Sequence, residues 1–232
     1  MRILVTGAAG QVGSTVARGL RQRHQVRGHD RVPMPELDDT VVSDLSDLDA
    51  VLEATRGMDG VAHIGGLPGG DEWESIHQSN IVGTYNVFEA CRRNGVKRVA
   101  FASRVGVFSQ YPRGITLTVD IAPTPVGFYT ISKVFGESIA YSYSREHDMG
   151  CVCVRIGSFT LQRDQPEHPL HLSHGDCLRV FEQALVHPGV TFAVVFGVSD
   201  SNWPLYDLEP GRQTIGYYPQ DCSFVPEDRW QK

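Results

Sequence analysis

Met1-Arg2-Ile3-Leu4-Val5-Thr6-Gly7-Ala8-Ala9-Gly10-Gln11-Val12-Gly13 opens the chain and decides its fold class. Ile3, Leu4 and Val5 form a short apolar run, the pattern of a strand buried on both faces. Three glycines follow at a spacing of three, and an amphipathic stretch from Val12 to Arg23 follows them. Strand, Gly-rich turn and helix in that order form the context of a dinucleotide-binding turn. Gly7 can take backbone angles closed to residues with a Cβ, Gly10 lets a pyrophosphate approach the backbone, and Gly13 lets the helix pack against the sheet. The helix start at Gln11 and Val12 offers free N–H groups and a positive dipole end. The spacing is G-x-x-G-x-x-G rather than the general G-x-G-x-x-G, so a tight turn without a ligand is the alternative. An acidic partner favours the ligand. Residues 26–29 read as a second strand closed by Asp30, about 20 residues past the glycines, where a carboxylate hydrogen-bonds a ribose 2′-OH. That favours NAD over NADP, although Arg31 next door can accommodate a 2′-phosphate.

At 232 residues the chain can build one substantial core, or one domain with a small appendage. The net charge of −6 and the lack of a long basic run argue against nucleic acid as a partner. No apolar stretch approaches a membrane span, and the N-terminal run is too short for a signal-peptide core. The five cysteines, Cys91, Cys151, Cys153, Cys177 and Cys222, are odd in number and lack a C-x-x-C pair. That argues against a disulfide framework or zinc site and for a reducing, cytoplasmic location. His168, His171 and His174 recur every three residues, but Pro166 and Pro169 interrupt any helix there. No metal site is expected.

Strand and helix patterns alternate along the chain, which predicts an α/β Rossmann fold, a doubly wound parallel sheet of about seven strands. A third strand at 40–43 leads to Asp44, which either reads an adenine or serves as a simple cap, and to a helix with Ser46 or Asp47 as its N-cap. The fourth strand, 61–64, ends at Gly65-Gly66, small enough for a cofactor to lie against its carboxyl end. One helix is expected over 72–94, with Asn80 in it either solvated or bonded inward to hold a site. The fifth strand covers 98–103, a helix 128–147 and the sixth strand 151–156. Beyond come a loop at 161–174, a helix at 176–186 and a strand at 191–196. The tail from Ser199 is expected to lie over the crevice as a small lid. Residues 1–160 thus form the dinucleotide-binding part and 161–232 a reduced substrate-binding subdomain of the same domain.

Tyr129-Thr130-Ile131-Ser132-Lys133 places a phenol and an ammonium at i and i+4 on one helix face. A free phenol has a pKa near 10, too high for a base at neutral pH, and a neighbouring ammonium lowers it. Tyr129 can then take a proton from a substrate hydroxyl, while Lys133 can also hold the nicotinamide ribose. Such a pair is common on solvated helix surfaces. Its place after a dinucleotide-binding half, at the sheet's ligand-binding end, points to a site.

Residues 6–13, Asp30, Asp44-Leu45, Asn80-Ile81-Val82-Gly83-Thr84 and Tyr129 to Lys133 together resemble the extended short-chain dehydrogenases/reductases, the NAD-dependent epimerase/dehydratase family. The likeness covers nearly the whole chain. His63-Ile64-Gly65-Gly66, Phe101-Ala102-Ser103, Tyr111-Pro112, Phe135-Gly136-Glu137 and Val154-Arg155-Ile156-Gly157-Ser158 are similar to the uronate dehydrogenases within it. The resemblance implies bound NAD, Tyr129 as base, Lys133 as its helper, and cofactor contacts from Ile64, Gly65, Gly66, Asn80 and Ile156. It implies a sugar or sugar-acid substrate, and a homodimer paired through the two long helices.

The sequence also departs from that pattern. Where the family carries a hydroxyl residue just beyond the fifth strand, this chain has Arg104, with Ser103 one residue early. The Asn and His that follow in uronate dehydrogenases are Val105 and Gly106 here, and the Gly after the tyrosine is Thr130. Arg163 lies in the loop where that group holds its substrate carboxylate. Arg104 can bind an anionic substrate group or the developing oxyanion, or point to solvent and leave the hydroxyl role to Ser103, or mark weakened chemistry. Three functions follow. The first is an NAD-dependent dehydrogenase with Tyr129, Lys133 and Ser103 as its catalytic residues and substrate contacts from Arg104, Ser158 and Arg163. The second is an epimerase or dehydratase that retains its NAD. The third is a non-catalytic NAD-binding sensor or scaffold.

Overall fold

The computed structural model describes residues 1–69, 72–112, 114–162, 166–203 and 205–229. Strands β1 (Arg2–Thr6), β2 (Gln25–Asp30), β3 (Asp39–Val42), β4 (Gly60–His63), β5 (Arg98–Arg104), β6 (Gly150–Ile156) and β7 (Phe192–Gly197) form one sheet. Its order is β3-β2-β1-β4-β5-β6-β7, and every pairing is parallel. The order reverses between β1 and β4, which opens a crevice at their carboxyl ends.

Each face of the sheet carries its own core. Helices α1 (Gln11–Leu20) and α6 (His174–Val186) cover one face, burying Val16, Leu20, Val180 and Phe181 against Ile3, Val5, Val152 and Val154. Helices α2 (Leu48–Thr55), α4 (Gly83–Arg93) and α5 (Phe128–Glu146) cover the other, burying Val51, Val87, Phe88 and Ala140 against Leu4, Val61, Val99 and Phe101. Each large apolar side chain so enclosed contributes about 1.5–3 kcal/mol. Local signals set the ends: the Asp47 carboxylate accepts from the Ala50 N–H, and the Ser173 hydroxyl accepts from the Asp176 N–H.

The helix expected over 72–94 is present but not uniform. A turn of α-helix, α3 (Trp73–Ile76), passes into a π-helical segment, His77–Val82, before α4. The extra residue per turn rotates Asn80 inward, which resolves its two alternatives. Its Oδ1 accepts from the Leu67 N–H at 2.8 Å, and its Nδ2 donates to the Leu67 carbonyl and to the Ser132 hydroxyl.

The tail differs from its expected place. None of the described residues after Leu170 borders the crevice. Trp203, Leu205, Tyr206 and Val225 instead form a third cluster with Val107, Phe108 and Phe196, and Leu205 and Leu117 join through backbone hydrogen bonding. Val105, Val107, Phe108 and Leu117 bury the apolar side chains of the tail, so the tail props the crevice wall from behind. Residues 161–232 also contain α6 and β7, which are parts of the main sheet layers. Among the described residues, no helix is long and apolar enough to cross a membrane.

Behind β5, Arg155 forms a two-point ion pair with Glu137, Nε to Oε1 at 2.9 Å and Nη2 to Oε2 at 2.8 Å. Both side chains are almost fully enclosed. Glu137→Ala strands the guanidinium and is expected to cost about 3–5 kcal/mol in urea unfolding. Lys97→Ala, which removes only the exposed partner of Asp148, leaves the unfolding midpoint where it was.

Candidate active site

The crevice is a cleft of about 830 Å³ running from the end of β2 across β1 and β4 to β5, β6 and α5. Its floor is the glycine turn. Gly7 sits at φ +70°, and a Cβ there would lie 2.8 Å from the Cα of Gly65. A Cβ on Gly13 would meet the Gly7 carbonyl oxygen at 2.0 Å. The backbone therefore passes here at a separation that only glycine permits. Helix α1 starts at Gly10 with no side-chain cap and no acidic residue in its first turn, so its N–H groups and dipole end face the cleft.

Thr6 holds the facing strand end. Its Oγ1 accepts from the Ile64 and Gly65 N–H groups at 3.2 and 3.0 Å and donates its own proton to His63 Nδ1 at 2.8 Å. His63 Nε2 then donates to Thr84 at 3.1 Å. Complete burial, together with the Lys133 and His29 charges, pushes the His63 pKa down to about 3 and keeps the ring neutral in that bridge.

The expected cofactor residues gather on these walls. Gly7, Gly10, Gln11, Val12 and Gly13 line the floor, Ile64, Gly65 and Gly66 the β4 side, and Ile156 the β6 side. Asp30 accepts from the Ala9 N–H at 3.0 Å and the Val32 N–H at 3.3 Å, which fixes its carboxylate at the β2 end. Asp44 beside it accepts from the backbone and hydroxyl of Ser46, bonds that lower its pKa, and Leu45 packs over Gly65. Asn80 does not line the cleft; it braces the 65–67 turn that does. Uncapped N–H groups, a cradle that a Cβ would fill and a fixed carboxylate fit the pyrophosphate and ribose of NAD. Several residues that the sequence did not single out also border the cleft, among them Leu67, Pro68, Ser79 and Phe159. No motif marks them, because turns deliver them from separate segments.

At the opposite end α5 brings Tyr129 and Lys133 to the cleft. A Cβ on Gly136 would lie 2.0 Å from the Phe101 ring, so this glycine lets α5 settle onto β5. Lys133 Nζ lies 5.2 Å from the Phe101 ring centroid and 5.6 Å from that of Tyr129. Burial, then the charge of Arg104, pushes the Lys133 pKa down to about 8. Burial raises the Tyr129 pKa, and the opposing influence comes from Arg104. The sequence pointed to Lys133 for that influence; the guanidinium supplies it here because it lies over the ring.

Ser103 borders the cleft, but its hydroxyl donates to Glu137 Oε1 at 2.6 Å. Ser103 is paired in register with Arg155, and both side chains turn inward to the same carboxylate. Alternation along the strand then sends Arg104 outward. Arg104 and Ser158 line the cleft, and Arg163 lies outside the described residues. His174 bonds the Thr160 carbonyl and His168 accepts from the Leu170 N–H, so these two face different partners. Among the described residues no cluster suited to a metal occurs.

The family described as NAD dependent epimerase/dehydratase matches residues 3–179. The chain belongs to that family. A uronate dehydrogenase of Pseudomonas syringae pv. tomato is 35% identical over 230 residues, covering 97% of this chain and 83% of that protein. An NAD-dependent glucose-6-phosphate dehydrogenase of Haloferax volcanii is 31% identical, covering 95% and 94%. Among solved structures, a mutant uronate dehydrogenase from Agrobacterium tumefaciens complexed with NAD superposes with a TM-score of 0.89 at 32% identity, covering 96% of this chain and 85% of that one. The glycine turn is the part of the cleft where an added side chain would meet main chain most closely. Gly13→Ala is expected to weaken NAD binding at least roughly tenfold in calorimetry, an increment of about 1.4 kcal/mol.

Proposed function

We propose that the protein is an NAD-dependent dehydrogenase of the extended short-chain type, oxidising a hydroxyl of a sugar or sugar acid. The observation that carries this reading is a single cleft whose walls hold both the glycine turn and the Tyr129–Lys133 pair. Arg104 and Lys133 make the end of the cleft where β5, β6 and α5 meet cationic, which supports a substrate that carries an anionic group. Asp30, Arg31 and Asp44 share the β2 end. The Pseudomonas and Haloferax relatives are named for uronates and glucose 6-phosphate, both anionic sugars.

NAD, when bound, accepts the hydride that leaves the carbinol carbon. Gly7, Gly10, Gln11, Val12 and Gly13 would hold its pyrophosphate, Asp30 a ribose, Asp44 and Leu45 the adenine, and Ile64, Gly65, Gly66 and Ile156 the walls beside it. Tyr129 takes the hydroxyl proton on its phenolic oxygen. Lys133 is held one helical turn on, buried, with its charge present below about pH 8. Asn80 and Ser132 brace the turn and helix between which the substrate sits. Arg104 and Ser158 face the substrate. Ser103 anchors β5 to α5 through Glu137, a positioning role in place of the catalytic one expected for it.

The chain pairs into a homodimer through α4 and α5, where Tyr85 and Tyr141 stand exposed. Buried free thiols at Cys91, Cys151, Cys153 and Cys177 suit a reducing, cytoplasmic setting.

With glucuronate, galacturonate and aldose substrates, Tyr129→Phe is expected to abolish NADH formation while calorimetry still records NAD binding. Unchanged turnover removes the assigned base. Sedimentation should return twice the chain mass of 25.6 kDa, and Tyr85→Arg/Tyr141→Arg should reduce it to one.

A further inference from the structure

Arg104, Gly106 and Thr130 depart from the family pattern at separate positions, yet in the fold they form one unit. Arg104 closes β5 in an extended conformation, φ −148° and ψ 149°. Its Cζ lies 5.0 Å from the centroid of the Tyr129 ring, and its Nη1 donates to Thr130 Oγ1 at 3.4 Å. A Cβ on Gly106 would lie 2.4 Å from Arg104 Nε and 2.5 Å from its Nη2. Any larger residue at 106 would therefore occupy the volume the guanidinium fills. Gly106 makes the space, Thr130 holds one end of the fork, and the Tyr129 ring carries its face.

No carboxylate among the described residues pairs with Arg104. The charged groups beside Tyr129 are Lys133 on its own helix and Arg104 from β5, and His168 from the loop after β6 lines the same cleft. Behind them the Glu137–Arg155 pair is closed on itself. On α4, Glu89 is taken up by Arg92, Arg93 and Tyr143, and His77 of the π-helical segment stacks on Trp73. Lys133 carries its charge only up to about pH 8, because burial and Arg104 both work against it. Arg104 is a permanent cation. It is the one fixed positive charge among the described residues that meets the phenol.

We propose that Arg104 is a catalytic residue, seated by Gly106 and Thr130, which donates to the reacting oxygen and stabilises the Tyr129 phenolate in place of the usual hydroxyl side chain. The assignment of the phenol as base rests on the dehydrogenase reading above. As the substrate O–H bond breaks, its proton passes to the Tyr129 oxygen and the freed electron pair forms the carbonyl. The carbon-bound hydrogen leaves with its own pair to NAD. Arg104 spends one N–H on Thr130 and offers the others to the oxygen as its charge grows. Ser103 is not needed for this, which is consistent with its hydroxyl being committed to Glu137.

The test uses the full chain without NAD or substrate, so its outcome is independent of which sugar is oxidised. Tyrosine labelled with carbon-13 at Cζ is titrated by NMR, with Tyr129→Phe identifying the resonance. Arg104→Met keeps the length and packing of the side chain, and is expected to raise the Tyr129 titration midpoint by about one pH unit or more, the scale of a lost neighbouring charge. Arg104→Lys should bring most of that shift back, and Thr130→Val should give a smaller shift in the same direction as Arg104→Met. In the NAD-loaded enzyme the acid limb of the kcat/KM profile should move with the midpoint, while NAD affinity stays constant. An unmoved midpoint in Arg104→Met overturns the proposal, as does a shift that Arg104→Lys fails to reverse. Loss of the dehydrogenase reading would appear separately, as undiminished turnover in Tyr129→Phe.

Discussion

The close approach of the main chain to itself, where the end of β1 meets the end of β4, is the constraint on which the rest depends. Gly7 and Gly65 touch there without a Cβ between them, and Gly13 brings α1 down onto the same turn. The contact holds because Thr6 meets the two N–H groups at the β4 end with one oxygen and passes its own proton to His63. Each such bond contributes only about 1 kcal/mol net, but an unmet buried group would cost about 1–3 kcal/mol. A fully bonded bridge keeps the crevice open at the switch point and the helix N-terminus aimed into it.

A second polar network sets the opposite wall. Arg155 from β6 and Ser103 from β5 both reach Glu137 on α5, which fixes the helix against two strands at once. Gly136 lets that helix descend onto Phe101, and Lys133 extends over the same ring. Tyr129 and Lys133 therefore owe their position to a buried ion pair and a missing side chain rather than to contacts in the cleft. The same network takes the Ser103 hydroxyl out of the cleft. Strand alternation then makes its neighbour, Arg104, the residue that faces Tyr129.

The C-terminal segment completes that wall from outside. Trp203, Leu205, Tyr206 and Val225 pack behind Phe108 and Phe196, and the Tyr111 hydroxyl donates to the Ala122 carbonyl across the same segment. The tail thus governs the cleft through the 105–121 segment, which begins one residue after Arg104. Asp176 and Asp221 fasten it to α6 through Ser173, Ser199 and the Gln220 N–H.

The sequence alone determined the alternation of strand and helix, the glycine turn, the acidic ends of β2 and β3 and the spacing of Tyr129 and Lys133. Each is a local pattern: an apolar run, a residue without a Cβ, or an i, i+4 pair shares one element and needs no partner to be recognised. Tertiary structure decided the rest, because it turned on groups distant in the chain. Asn80 faces inward through a π-helical turn that no composition marks, and Ser103 faces Glu137 because β6 places Arg155 beside it in register. The tail lies behind the wall instead of over the cleft, because its apolar side chains bury against Val107, Phe108 and Phe196, partners that no local pattern encodes. Three scattered departures, at 104, 106 and 130, become one arrangement only when β5 and α5 are packed together.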